Sequence, residues 1–200
     1  MKRDNKCENC PYPSNDICRG ETIEKCNVCR EELQEHIKLA LAELYNKDFY
    51  LIENSVNEVC IVAHFWRCFF NSFQQRYAGY DMDIEYNRNG TWAKYYGLSD
   101  EKQRKYAKPD MIIHKRGCNA HNFVCIEFKG EWNTEENGNL NDEEKLVAFT
   151  KQAILLTYDG KKYSYKYNYG IRLKLYRDKV EFKWFEDGEH KTEYDYEYLI

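Results

Sequence analysis

Hydrophobic residues recur at helical spacing in the first half of the chain and predict two helices. From Arg30 to Lys47 the apolar residues fall on one face. That face consists of Leu33, Ile37, Ala40, Leu41 and Leu44. From near Ser55 to about Phe73, apolar residues cover most of the circumference and leave a narrower polar arc. We therefore expect an amphipathic first helix and a largely buried second one.

One carboxylate, Glu58, falls inside the apolar arc of the second predicted helix. On a helical wheel it lies roughly 140° from the middle of the polar arc. Two interpretations are open. Ser55 and Glu58 match the capping box, in which the glutamate reaches back to the N-cap amide. Alternatively, the helix start directs this carboxylate toward an active site on a neighbouring sheet.

Alternating and continuous apolar runs then predict strands. Tyr80 to Tyr86 alternates with period two, as a half-buried strand does. The runs Met111 to Lys115 and Phe123 to Lys129 flank a segment rich in turn formers and predict a hairpin. The polar stretch from Asn87 to Lys108 is predicted to be a long loop.

The second half of the chain predicts one more helix and one more hairpin. Asn141 is a suitable N-cap for a helix from Asp142 to Leu156. Further on, Ile171 to Tyr176 and Val180 to Phe185 read as two strands joined by a turn. Helices and strands together indicate an α/β fold.

The first hairpin brings chemistry-bearing residues together. With the turn centred between Cys118 and Asn119, the register pairs Asp110 with Glu127, roughly 5 Å apart. Glu127 and Lys129 are two residues apart and share one face of their strand. Two carboxylates this close repel unless a cation lies between them, and such hard oxygen ligands suit Mg²⁺ or Mn²⁺. A lysine beside the metal can orient or deprotonate an attacking water.

These residues resemble the signature of the PD-(D/E)xK nuclease superfamily, which has a restriction-endonuclease-like fold. Pro109-Asp110 is followed, after sixteen residues, by Glu127-Phe128-Lys129, and Glu58 matches the acidic residue that many members carry on the first core helix. The predicted order of elements also agrees with the αβββαβ core of that fold and its mixed central sheet. The resemblance extends from about Ser55 to Trp184.

The resemblance implies metal-dependent hydrolysis of a phosphodiester bond. It assigns Asp110 and Glu127 as metal ligands, the Phe128 carbonyl as a third ligand, Lys129 as the catalytic lysine and Glu58 as an accessory acid. The chain departs from exonuclease-type members, which carry a tyrosine four residues after a glutamine on the next helix. Here Leu156 stands four residues after Gln152.

Of the nine cysteines, four have a metal-binding pattern near the start of the chain. Cys7, Cys10, Cys26 and Cys29 form two CxxC pairs, the spacing of a structural Zn²⁺ site with four thiolates. Cys18 either replaces one of these ligands, is a spare thiol or belongs to an iron-sulfur site. A disulfide framework is the alternative to metal.

Charge is uneven along the chain. The net charge of −4 comes mostly from an acidic stretch between Glu186 and the end, whereas basic residues cluster around the predicted hairpin. The candidates for contacts with phosphate are Lys105, Lys108, Lys115, Arg116 and Lys145. The alternative for each is solvated surface.

These observations lead to two predicted units, a zinc-binding module with its connecting helix over residues 1–48 and a nuclease-like domain over 49–200. Val59 to Phe70, the longest apolar stretch, is too short to span a membrane, and no secretory signal is recognised at the start, so we expect a cytoplasmic protein. The predicted function is a nuclease acting on DNA rather than RNA, and cutting both strands of a duplex would favour a homodimer. Two alternatives are a catalytically silent module that binds nucleic acid or protein, and a structural protein whose acidic tail docks a basic partner.

Overall fold

The computed structural model describes a sheet that is covered by helices on both faces. The described residues are 30–77, 79–89, 92–97, 105–117, 121–133, 136–152, 155–156, 162–163 and 165–200. The helices within them are α1 (Arg30–Glu53), α2 (Glu58–Arg76) and α3 (Glu136–Thr150). In this part of the chain, none of the helices has the length and apolar character needed to cross a membrane.

The described residues form thirteen strands, and seven of them make up a mixed central sheet. The strands, in chain order, are β1 (Asp81–Ile84), β2 (Arg88–Asn89), β3 (Trp92–Ala93), β4 (Tyr95–Tyr96), β5 (Lys105–Tyr106), β6 (Met111–His114), β7 (Val124–Gly130), β8 (Leu155–Leu156), β9 (Lys162–Tyr163), β10 (Tyr169–Leu175), β11 (Lys179–Glu186), β12 (Glu189–His190) and β13 (Tyr196–Leu199). The sheet runs β1-β6-β7-β10-β11-β12, and β13 also pairs with β11. Only β7 and β10 are parallel among these pairs, and α3 forms the crossover between them. The predicted α/β class with a mixed central sheet is therefore confirmed.

The predicted register of the first hairpin is the one found. In the antiparallel pair β6 and β7, Met111 lies opposite Ile126 and Ile113 lies opposite Val124. The second hairpin is also present, with β10 and β11 paired from Gly170 and Phe185 to Leu175 and Val180. A one-residue slip would turn every side chain to the other face of the sheet, so strands with well-defined apolar faces leave few alternative pairings.

The sheet separates two hydrophobic cores. Ile113, Ile126 and Phe128 face one side, where they share a core with residues of α1 and α2. Ile112 and Cys125 face the other side and pack with Leu146, Phe149 and neighbours. Since side chains alternate along a strand, Glu127 and Lys129 share the face of Cys125, beneath α3.

Helix boundaries differ from the predicted ones at both ends of α3. The predicted N-cap, Asn141, lies inside the helix, which begins at Glu136, and its side chain accepts a hydrogen bond from Lys105 Nζ (2.5 Å). The helix ends at Thr150 rather than Leu156. There the Gln152 side-chain amide donates to the Thr150 carbonyl (3.0 Å), which satisfies an acceptor that the helix leaves open.

The first helix is longer than predicted and belongs to the main core. It continues past a non-helical residue, Asp48, to Glu53. Its buried face includes all five predicted residues, and these contribute to the core shared with α2 and the sheet. Residues 1–29 lie outside the described part, so the zinc module stays a prediction. The division of the chain at residue 48 stays a prediction as well.

The segment between β1 and β6 is more structured than the predicted loop. It contains β2 to β5, and it is anchored to the α3 side of the sheet by a buried lysine, Lys94, which is 1% exposed. Lys94 Nζ donates to the Tyr167 hydroxyl (2.8 Å), and the rings of Tyr86, Phe149 and Tyr167 lie within 6 Å of the ammonium group. Nothing in the local polar pattern around Lys94 signals this burial.

We expect Lys94→Met to stabilise the protein near neutral pH. Burial lowers the pKa of Lys94 to about 7, from 10.5 in the unfolded chain. Between these values the unfolded state binds more protons than the folded state, so the stability of the wild type rises with pH. Methionine removes the cost of burying the charge, and we expect a gain of about 1–4 kcal/mol at pH 6.5 that shrinks toward pH 10.

The measurement is urea denaturation of the variant and the wild type at pH 6.5 and pH 10. Lys47→Met is the matched control, because the Lys47 side chain is 57% exposed. A Lys94→Met protein that is less stable than the wild type at both pH values would contradict the argument.

Candidate active site

The end of β7 positions two polar side chains under α3. Phe128 points to the opposite face and packs edge-on against Phe65 of α2, with the ring centroids 5.0 Å apart. This packing fixes the strand so that its neighbours Glu127 and Lys129 point together toward α3. Both are buried, as is every residue of this strand. The predicted shared face is confirmed.

Asp110 lies beside the same strand. The Phe128 backbone N–H donates to Asp110 Oδ2 at 2.7 Å. Asp110 immediately precedes β6, and one further step of the observed register places it opposite Glu127. The hairpin therefore brings the two predicted metal ligands to one level of the sheet.

Glu58 reaches the site from the first residue of α2. Its Oε1 accepts from the Gly130 backbone N–H (3.1 Å) and from Asn133 Nδ2 (3.3 Å), and it lies 3.9 Å from Lys129 Nζ. The carboxylate thus ties the helix start to the end of β7. This geometry agrees with the second interpretation of Glu58.

The capping-box interpretation is wrong. Asn57 lies at the helix start and its Oδ1 accepts from the Val59 N–H at 2.9 Å. Ser55 has a positive φ of 52° and its N–H donates to the Ile52 carbonyl, so it belongs to the turn between the helices. Asn57, two positions after Ser55, caps the helix instead, and the Glu58 side chain faces the sheet.

An ion pair between Lys145 and Glu127 lies on the α3 side of the site. Lys145 Nζ on α3 lies 2.6 Å from Glu127 Oε2 and 3.4 Å from Asp142 Oδ1. Glu127 is 1% exposed and Lys145 is 9% exposed, so the pair is enclosed by protein. Asp142 and Lys145 are three residues apart and therefore occupy the same face of α3.

Burial raises the pKa of the carboxylic acids around this lysine. The pKa of Asp110 rises to about 6, chiefly because burial disfavours the ionised form. For the same reason the pKa of Glu127 lies well above its usual range, although the Lys145 charge opposes the shift and Asp110 adds to it. Burial also raises the pKa of Asp142. Three carboxyl groups, Asp110, Glu127 and Asp142, are thus gathered around the Lys145 ammonium group, while Lys129 and Arg172 add positive charge nearby.

The residues present fit a divalent cation. Glu127 Oε1 is buried and has no hydrogen-bond partner among the described residues. A buried acceptor without a partner is costly, and a cation would satisfy it. Asp110 offers a second hard oxygen, and both belong to the ligand class that Mg²⁺ and Mn²⁺ prefer. Within the described ranges, no three side chains of His, Cys, Asp or Glu come close enough to hold a metal by themselves, so a backbone carbonyl such as that of Phe128 would have to contribute.

Two of the predicted phosphate contacts, Lys145 and Lys105, lie in or beside α3, and a third, Lys108, lies two residues before Asp110. Lys145 is inside the site. Lys105 donates to Asn141 on α3, and Lys108 pairs with Glu85 at 2.6 Å. Lys105 and Lys108 keep part of their side chains in solvent, and each already pairs with a carboxylate.

The other two, Lys115 and Arg116, lie at the opposite end of β6. Arg116 Nε donates to Asp83 Oδ2 (2.8 Å), and its backbone N–H donates to Asp81 Oδ2 (2.9 Å). Lys115 Nζ donates to the Gly79 carbonyl (3.3 Å). At about 3.3 Å per residue, the length of β6 separates them from Asp110 by more than 10 Å. The structure therefore does not bring them to the carboxylates.

Two features of the second half of the chain have structural roles. Gln152, the residue compared with exonuclease-type members, lies beyond α3, and its side chain also donates to the Tyr167 carbonyl (3.3 Å). Tyr165 and Tyr167 are fully buried against Phe149, so neither can stack on a nucleic-acid base.

Two residues of this cluster, Asp142 and Arg172, were not among the predicted site residues. Arg172 lies opposite Glu127 on β10, is buried and donates to Glu143 (3.4 Å). A charged residue between Ile171 and Leu173 is the same signal that drew attention to Glu127 in its apolar strand. Asp142 carried a weaker signal, its helical spacing from Lys145.

Comparison of the chain with protein-family models, with curated proteins and with solved structures found no match.

Proposed function

We propose that this chain is a divalent-metal-dependent nuclease of the PD-(D/E)xK type. The observation that carries the proposal is the convergence of Asp110, Glu127 and Lys129 at the end of β7, with Glu58 behind them. Three elements supply these four residues: Glu127 and Lys129 lie on β7, Asp110 immediately precedes β6, and Glu58 begins α2.

The arrangement of elements supports the proposal. Around the site the chain passes through α2, β1, β6, β7, α3 and β10, which corresponds to the αβββαβ order of a restriction-endonuclease-like core. The parallel pairing of β7 and β10 through α3 gives the mixed sheet of that core. The short strands β2 to β5 form an insertion between the first two core strands.

In this proposal Asp110, Glu127 and the Phe128 carbonyl hold Mg²⁺ or Mn²⁺. When bound, the metal supplies positive charge at the phosphate oxygens and makes water more acidic. Lys129 orients the attacking water and offsets negative charge that develops during hydrolysis. Glu58 holds Lys129 and the Gly130 amide in place, which makes it a positioning residue.

The substrate in the proposal is DNA, with RNA as the other substrate to be tested. Cleavage of both strands of a duplex would be served by two copies of the chain. The zinc module of Cys7, Cys10, Cys26 and Cys29 is proposed to add a structural Zn²⁺. Metal analysis of the native protein tests it, and absence of zinc with four freely titratable thiols would dismiss it.

The test of the nuclease proposal is a cleavage assay with purified full-length protein. Plasmid, linear duplex, single-stranded DNA and RNA are incubated with Mg²⁺ or Mn²⁺, and with EDTA as the metal-free control. We expect metal-dependent cleavage of at least one DNA substrate, and its loss in Asp110→Ala and Lys129→Ala. Cleavage that is unaffected by both substitutions would assign the activity to a contaminant or to another site and would contradict the proposal.

A further inference from the structure

We propose that Lys145 is a built-in counter-cation that competes with the divalent metal for Glu127. The inference rests on the proposed function, because it presupposes a metal site at Asp110 and Glu127. It gives Lys145 a role different from phosphate contact. The lysine holds the acidic site together without metal and lowers the site's affinity for metal.

The position of the ammonium group carries the inference. Lys145 Nζ lies 2.6 Å from Glu127 Oε2, which is the distance of a direct charge-assisted hydrogen bond. Asp142 Oδ1 lies 3.4 Å from the same nitrogen, so α3 supplies both the cation and a second carboxylate for it. Glu127 Oε1 has no partner among the described residues. One oxygen of the proposed ligand is thus taken by an internal cation while the other is open.

A divalent ion can reach Glu127 in two ways, and Lys145 opposes both. A metal that uses both oxygens has to displace the ammonium group from Oε2. A metal that uses Oε1 alone has a positive charge as a close neighbour in an enclosed site, where charges are weakly screened. Either way, neutralising Lys145 should strengthen metal binding.

Other charges near the lysine do not cancel this effect. Asp142 neutralises part of its charge, but Asp142 is held by α3 and stays beside the site whether or not Lys145 is present. Lys129 and Arg172 add positive charge from the strands below and are unchanged by a substitution at Lys145. The difference between wild type and variant therefore reports on the Lys145 ammonium.

The experiment measures Mn²⁺ binding in the absence of nucleic acid. Free Mn²⁺ is quantified from its electron paramagnetic resonance signal in titrations of full-length wild type, Lys145→Gln and Lys145→Met. The control is Lys151→Gln, an exposed lysine six residues further on that lies beyond the end of α3. We expect the Kd to fall by at least about tenfold in the two Lys145 variants and to stay within about twofold of wild type in the control.

Thermal melting with and without Mn²⁺ keeps the test decisive where a variant is unstable. A variant that leaves Glu127 without its counter-ion should melt lower than wild type without metal, and Mn²⁺ should raise its Tm by more than it raises that of wild type. A Kd and a Mn²⁺-induced rise in Tm that both equal those of wild type would overturn the role given to Lys145. Absence of Mn²⁺ binding in wild type and in both Lys145 variants would instead overturn the metal site and with it the proposed function.

Discussion

Glu127→Gln should lose cleavage activity on the order of 10³-fold or more while the protein stays folded. Glutamine has nearly the size of glutamate, and its side-chain oxygen can still accept the hydrogen bond that Lys145 donates to Oε2. The amide lacks the negative charge by which Glu127 would hold the proposed metal. The substitution therefore separates the chemical role of the carboxylate from its role in packing.

The measurement is single-turnover cleavage of the best DNA substrate at saturating Mg²⁺, beside a thermal melt of each protein. Glu181→Gln is the matched control, because Glu181 lies on β11 and pairs with Lys179 away from the site. An activity of Glu127→Gln within tenfold of wild type would show that Glu127 does not bind the catalytic metal. A melt far below that of wild type would show that the charge is needed for folding, and Asp110→Asn would then be the informative variant.

The sequence contained enough information for the part of the site that lies on one hairpin. Asp110, Glu127 and Lys129 are brought together by local pairing, and the register follows once the turn between the two apolar runs is centred between Cys118 and Asn119. Glu58 could be assigned to the inner face of its helix for a similar reason, since helical periodicity fixes directions within one element.

The contacts between elements could not be read in this way. Lys145 meets Glu127 because α3 crosses over the sheet between β7 and β10, and the angle and height of that crossing depend on the whole core. The start of α3 was misplaced, so Lys145 was expected near the first turn of the helix instead of in its second half. The helix propensity of its first residues is too weak to mark the boundary.

Alternation does not identify a strand where an extended segment is buried without strand pairing. The tyrosines from Tyr163 to Tyr169 recur every second residue, the period typical of one face of a strand. Tyr165 and Tyr167 instead lie in an irregular segment whose side chains fill the core beneath α3. Their hydroxyl groups contact Tyr95 and Lys94 of the segment between β1 and β6, which the sequence did not place nearby.

The packing that holds the site predicts the largest loss of stability. Phe128→Ala should lower the free energy of unfolding by about 3–5 kcal/mol. Phe128 is buried, packs against Phe65 of α2, and lies between the two site residues of its strand. Truncation would leave a cavity between α2 and β7 and would free the strand to shift relative to the helix that carries Glu58.

Urea denaturation of Phe128→Ala and Phe49→Ala tests this argument with the same chemical change at two places. Phe49 is 36% exposed on α1, and its truncation should cost about 1 kcal/mol or less. A similar loss for both variants would show that Phe128 is not part of a tightly packed core. A large loss for Phe128→Ala, with cleavage reduced even under conditions in which the variant is fully folded, would show that the contact between α2 and β7 positions Glu127 and Lys129 for catalysis.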